Sequence, residues 1–189
     1  MMRKLIDKFV SIKKIILISL IILCLLILGS IVNPNNTVSV KNSIRINKPQ
    51  KLVFDYLTIP CYWADYLPTT VAVKPASEHP MKIGERVTEY LNVLGVKVQI
   101  VWECIKNDNH ANFQINGTSK SPGISGTVKF VLTLSEEDNT TIVKREIYFQ
   151  SDDILFKISK PMAGLYFKYE AVESFRRARE ILESMPPKT

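Results

Sequence analysis

Ile15 to Val32 is an unbroken apolar run of eighteen residues, IILISLIILCLLILGSIV, whose most polar members are Ser19, Cys24, Gly29 and Ser30. As a helix it reaches roughly 27 Å, close to the hydrocarbon thickness of a bilayer. The run therefore predicts a single transmembrane helix over 15–32. A core helix of this length would show a polar face, and this one has none. The competing reading is a cleaved signal peptide, whose apolar region usually spans about 7–15 residues before a small-x-small site. Leu28-Gly29-Ser30 is a poor version of that site, and Cys24 lacks the preceding small residue of a lipoprotein signal.

Charge orients the run. Arg3, Lys4, Lys8, Lys13 and Lys14 against Asp7 place +4 of the formal net charge of +7 in residues 1–14. Such flanks stay cytoplasmic, so the remainder is predicted to lie outside the cytoplasm. A short polar linker, 33–37, leads to one domain over 38–185, and 186–189 form a tail. That length supports a single core. Only +3 is left for residues 15–189, too little for a phosphate-binding stripe, so no nucleic-acid partner is expected. Cys24 lies in the apolar run. Cys61 and Cys104 read either as one pair in an oxidising compartment or as two small buried hydrophobes.

From Val38 apolar and polar residues alternate to Ile46, the period of a strand. Pro49 to Leu57 has helical spacing with Pro at its start, and Tyr62 to Leu67 resembles a second short helix before Pro68. Six strands follow by the same alternation: 71–74, 85–93, 97–105, 111–117, 126–135 and 141–151. Their connections are too short for anything but antiparallel pairing. A last helix opens near Pro161, with Leu165, Tyr169, Val172, Phe175, Ala178 and Leu182 on one face. Pairs four apart, such as Glu173 with Arg177 and Arg176 with Glu180, solvate the other face.

An antiparallel sheet with one apolar face must be covered, and the terminal helix is the only element long enough. This order, carried by VSVKNSIRINKPQKLVFDYLTIPCYWADYLPTT and GLYFKYEAVESFRRAREILES, resembles the START-like, or SRPBCC, superfamily. That group includes Bet v 1-like and polyketide cyclase/dehydrase-like domains. The resemblance implies an α+β helix-grip fold: a curved antiparallel sheet wrapped on a long C-terminal helix, with two short helices after strand 1. It also implies a cavity for lipids, isoprenoids, quinones or polyketides.

If the apolar side of each strand faces the helix, Val40, Val98, Ile100, Trp102, Phe113, Ile115, Val128, Phe130, Leu132, Val143, Ile147 and Phe149 line the interior. Leu165, Tyr169 and Val172 close it as a lid. The same phase turns Asn42, Glu89 and Arg145 inward, where a carboxylate and a guanidinium neutralise one another or hold a polar ligand end. A strand bulge would instead turn one of them to water. Tyr62, Trp63 and Tyr66 read as a cavity gate or as packing of a short helix.

His79 and His110 have no Cys or carboxylate at metal-ligand spacing, and the glycines form no phosphate loop, so neither metal nor cofactor is expected. Three functions fit. One is a membrane-anchored binder or carrier of a hydrophobic small molecule. Another is an acid–base enzyme with Glu89 as proton acceptor, Arg145 as anion stabiliser and Tyr90 or Asn42 orienting substrate. The last is an interaction module whose cavity its own side chains fill. Topology is testable on the whole chain: a reporter active only outside the cytoplasm, fused after Thr189, should be active, and replacing Lys8, Lys13 and Lys14 by Glu should weaken that orientation.

Overall fold

A computed structural model describes residues 13–25, 36–108, 110–121 and 124–186. Helix α1 covers 13–25, and the rest of the apolar run, with most of the linker and of the basic flank, lies outside the described residues. Among the described residues no helix is long and apolar enough to cross a membrane. The transmembrane helix expected over 15–32 is thus not shown as a span.

The domain begins with β1 (Thr37–Ile46), α2 (Gln50–Thr58), a 3-10 turn (Pro60–Tyr62) and α3 (Trp63–Tyr66). Six more strands follow: β2 (Thr70–Lys74), β3 (Arg86–Val93), β4 (Val96–Asp108), β5 (Asn112–Ser121), β6 (Ile124–Glu137) and β7 (Thr140–Gln150). Helix α4 (Ile154–Ser184) closes the chain. The seven strands form one antiparallel sheet in the order β1-β7-β6-β5-β4-β3-β2. Helix and sheet make the expected α+β helix-grip architecture.

Two hairpins close through two-residue turns with positive φ at both positions, Leu94-Gly95 (52° and 87°) and Asp138-Asn139 (49° and 64°). This geometry matches the right-handed strand twist. Register shifts occur between Thr70 and Ala72 and between Cys104 and Lys106. None falls within β7 or along the β3–β4 pairing. Alternation therefore survives at Glu89 and Arg145, and both stay inward.

Helix α4 opens at Ile154, seven residues before Pro161. Asp153 caps it, its Oδ1 accepting from the Leu155 N–H at 3.0 Å. Pro161 lies inside the helix, where it removes one backbone donor without ending it. Packing corrects the face as well. Ala171, Ser174, Phe175, Ala178 and Leu182 are buried, whereas Leu165, Tyr169 and Val172 are 67%, 65% and 66% exposed. Small residues at 171, 174 and 178 let the second half of α4 approach β1 closely. That turns the 165–169–172 stripe away from the sheet.

The strand ends define two poles. At one lie Thr37, paired with Gln150, and the start of α4, where the Ser151 N–H donates to the Asn36 carbonyl at 3.1 Å. At the other, Asn47 N–H donates to Glu183 Oε1 at 2.9 Å and Lys48 Nζ to the Met185 carbonyl. Cys61 and Cys104 are free thiols, so the pair reading does not hold.

Gly117 on β5 is paired with Trp102. A Cβ there would meet the Trp102 ring and Ile100 Cγ2 at 2.7 Å. Only glycine leaves room for the indole to lie against the sheet. Gly117→Ala should destabilise the fold by about 1–3 kcal/mol through overpacking, read from the denaturant midpoint.

Candidate functional site

Between the sheet and the first half of α4 lies a cavity of roughly 560 Å³. Its floor is the inward face of the central strands: Val98, Ile100 and Trp102 from β4, Ile115 from β5, Val128 and Phe130 from β6, Ile147 and Phe149 from β7. Ile100 and Phe130 point inward yet remain half-buried, because they look into open space. The void persists beside the side chains that line it, which removes the filled-cavity reading.

Polar groups enter this apolar lining at a few points. Glu89 is 3% exposed; Thr70 Oγ1 donates to its Oε1, and Trp102 Nε1 donates to Oε2 at 2.7 Å. Burial pushes its carboxyl up to about 7, against the two hydrogen bonds that favour the charged form. Arg145 is 1% exposed. Its Nε donates to Asn42 Oδ1 at 3.2 Å, its Nη2 donates to the Ala171 carbonyl, and its guanidinium lies 4.3 Å from the Phe175 ring centroid. Asn42 Nδ2 donates to the same carbonyl at 2.8 Å. Burial lowers the Arg145 pKa, and the negative field of Glu170 opposes that. Burial raises Glu170, which the Arg145 charge restrains.

Glu89 and Arg145 both face inward, but they are not ion-paired. Each has its own set of partners. Tyr90 is corrected: as the neighbour of Glu89 on β3 it points to the opposite face, where it borders a second, more polar concavity with Arg86 and Lys97. Val40, Phe113, Leu132 and Val143 are buried but lie outside the cavity wall, and Asn42 acts behind it through Arg145. Phe113 instead packs edge-on to Phe54 of α2, centroids 6.2 Å apart. Leu165 and Tyr169 border the cavity from its exposed rim rather than as a buried lid, and Val172 does not border it.

The sequence reading missed Phe156, Ala163, Tyr166, Phe167 and Glu170 of α4 and Leu91 of β3, all of which line the cavity. A signal existed. Phe156, Phe167 and Ala178 are spaced by eleven residues, three helical turns, so the register extended back from Ala178 marks the inner face. Trp63 and Tyr66 are buried in the cavity wall, while Tyr62 is outside, stacked on Tyr56 at 5.1 Å. The Tyr66 hydroxyl donates to the Leu57 carbonyl at 2.9 Å. The buried Trp63 indole N–H has no protein acceptor.

Residues 37–183 match the family described as polyketide cyclase / dehydrase and lipid transport. The chain belongs to that family. The match confirms the expected SRPBCC, Bet v 1-like relationship and covers nearly the whole domain. A protein from Chromobacterium violaceum, 14% identical, superposes with a TM-score of 0.64 over 81% of this chain and 100% of its own. A conserved protein from Geobacillus kaustophilus, 12% identical, gives 0.65 over 77% and 95%. Ara h 8.0201, 10% identical, gives 0.57 over 79% and 99%. At such identities the likeness shows the helix-grip fold and says nothing of activity. No curated protein matches the sequence.

Glu89 generates a pH test. Its folded pKa, about 7, lies above the ordinary 4.5, so the folded state holds a proton that the unfolded state has lost between those values. Its contribution to stability should fall as pH rises from about 4.5 to about 7 and then level off, by about 3 kcal/mol in all. Glu89→Gln keeps the shape without the titration. The variant should therefore match the wild type below pH 4.5 and exceed it in denaturant melts above pH 7.

Proposed function

We propose that this protein is a membrane-anchored binder or carrier of a hydrophobic small molecule, held between the sheet and the first half of α4. The observation that carries the reading is the cavity of roughly 560 Å³, lined by aliphatic and aromatic side chains and bordered by few polar groups. Such a volume lies in the range of about 300–1,000 Å³ of small-molecule sites. The ligand class that suits such a lining is a predominantly apolar body, such as a fatty acid, isoprenoid or quinone. The family's description, which includes lipid transport, agrees with that class.

The anchor rests on the eighteen-residue apolar run and the basic residues before it. Its topology places the domain outside the cytoplasm.

An acid–base enzyme is the second reading, favoured by the Glu89 carboxyl poised at about 7. Against it, both Glu89 oxygens already accept hydrogen bonds, Arg145 is bound to Asn42 and Ala171, and Tyr90 lies on the other face. Binding uses the cavity as it stands; catalysis would need a substrate set against Glu89 with no second catalytic group beside it, since Arg145 and Tyr90 are engaged or turned elsewhere.

Purified delipidated protein should take up a fluorescent fatty acid or quinone analogue saturably, with one site per chain. Val128→Trp, which fills the cavity from its floor, should abolish uptake while leaving the circular dichroism spectrum unchanged. Failure to bind any member of a broad apolar panel would refute the reading.

A further inference from the structure

Leu94 is 84% exposed and has a φ of 52°. It occupies a turn position where Gly, Asn or Asp is favoured, and a leucine there carries backbone strain while packing little of its side chain against the fold. It also stands at the cavity mouth. Across the mouth, α4 presents Met162 at 65% and Leu165 at 67% exposure, and Ile154 and Leu155 continue this surface at the start of the helix. From 154 to 168 the helix carries Lys157, Lys160 and Lys168 and no acidic residue.

The strand register places this rim. Thr37 is level with Gln150, which is level with Thr127; Ile100 is level with Ser119 and hence with Gly126. The β3–β4 hairpin therefore points toward the pole at which the chain enters the domain, the pole where α4 also begins. Four residues lie between Val32, the end of the apolar run, and Thr37, five Cα steps with a reach of at most about 18 Å.

We infer that the rim formed by Leu94, Ile154, Leu155, Met162 and Leu165 is a bilayer-docking surface, which seats the cavity mouth on the membrane that holds the apolar run. The short tether confines the domain to the bilayer surface with the mouth pole nearest. The apolar side chains enter the interface, and the lysines suit anionic headgroups. An apolar ligand then passes between lipid and cavity without crossing water. The tether rests on the anchored reading, whereas the rim's exposure does not.

The test uses the full chain in phosphatidylcholine–phosphatidylglycerol vesicles carrying nitroxide-labelled lipid. A fluorescent amino acid replaces Leu94 in one variant and Asp138, at the tip of the opposite pole, in another. Quenching at 94 and not at 138 is expected. Equal quenching at both positions, or none at 94, would overturn the inference, as would a dimer that shields position 94 from the nitroxide. Carbonate extraction reads the anchor separately. A chain retained in the membrane but unquenched at 94 refutes docking alone; one that is extracted yet quenched refutes the anchor alone. Leu94→Asn supplies a second readout, since it relieves the turn while removing the apolar tip. It should raise the melting temperature and lower ligand transfer from vesicles; Ile154→Asn, on the rim but outside the cavity wall, should lower that transfer with uptake of ligand from solution unchanged. A rise in melting temperature without loss of vesicle transfer would also count against docking.

Discussion

The position of α4 depends on a guanidinium buried beneath it. Arg145 on β7 and Asn42, its cross-strand neighbour on β1, converge on one backbone carbonyl, that of Ala171. A charge removed from water needs partners, and here two neutral oxygens and the face of Phe175 supply them, supported by the field of Glu170. Because those partners come from two strands and the helix, satisfying the charge fixes all three elements together. Moving α4 by one turn would leave Arg145 buried without its acceptor, at a cost of several kcal/mol.

That attachment divides the helix. Beyond Ala171 its small side chains, Ser174 and Ala178, bring it close to β1, and Phe175 and Leu182 fill the core. Before Ala171 the residues are larger: Phe156 and Phe167 meet the floor at Phe149, with centroids 4.7 and 5.7 Å apart, and Tyr166 borders the open space beside them. The cavity is the space left by this difference. Gly117 and Trp102 shape the floor, and the bond from Trp102 to Glu89 fixes the indole there. Glu89 thus serves the wall as an acceptor first. Its raised pKa follows from being held in an apolar surface rather than from a catalytic partner.

The same division leaves the outer face of the first half of α4 apolar and without an internal partner, at the pole where the chain enters. On the proposed anchored reading, the apolar mouth and the lysines of this half of the helix are mutually consistent at a lipid surface. In bulk water the exposed apolar rim would be a liability for solubility.

Strand alternation, Pro49 and the breaker residues between strands are local signals, and from them the element order, a helix packed on an antiparallel sheet and the inward phase of Glu89 and Arg145 could be read, while the helix-grip fold followed from the family resemblance. Alternation has a period of two and admits no intermediate answer, so inward residues of β4 to β7 were legible one by one. Helical phase is less constrained. Both 165–169–172 and 167–171–178 are apolar or small stripes of α4, and only contact with β1 selects the second. Likewise, Pro161 reads as a helix start until Asp153 is seen to cap the helix earlier. By itself the sequence determined which residues alternate, how the elements follow one another and where the apolar run lies. Tertiary structure alone decided which helix face is buried, that Glu89 and Arg145 do not pair, and that a void remains between sheet and helix. Those outcomes depend on distances between segments far apart in the chain, which no local pattern encodes.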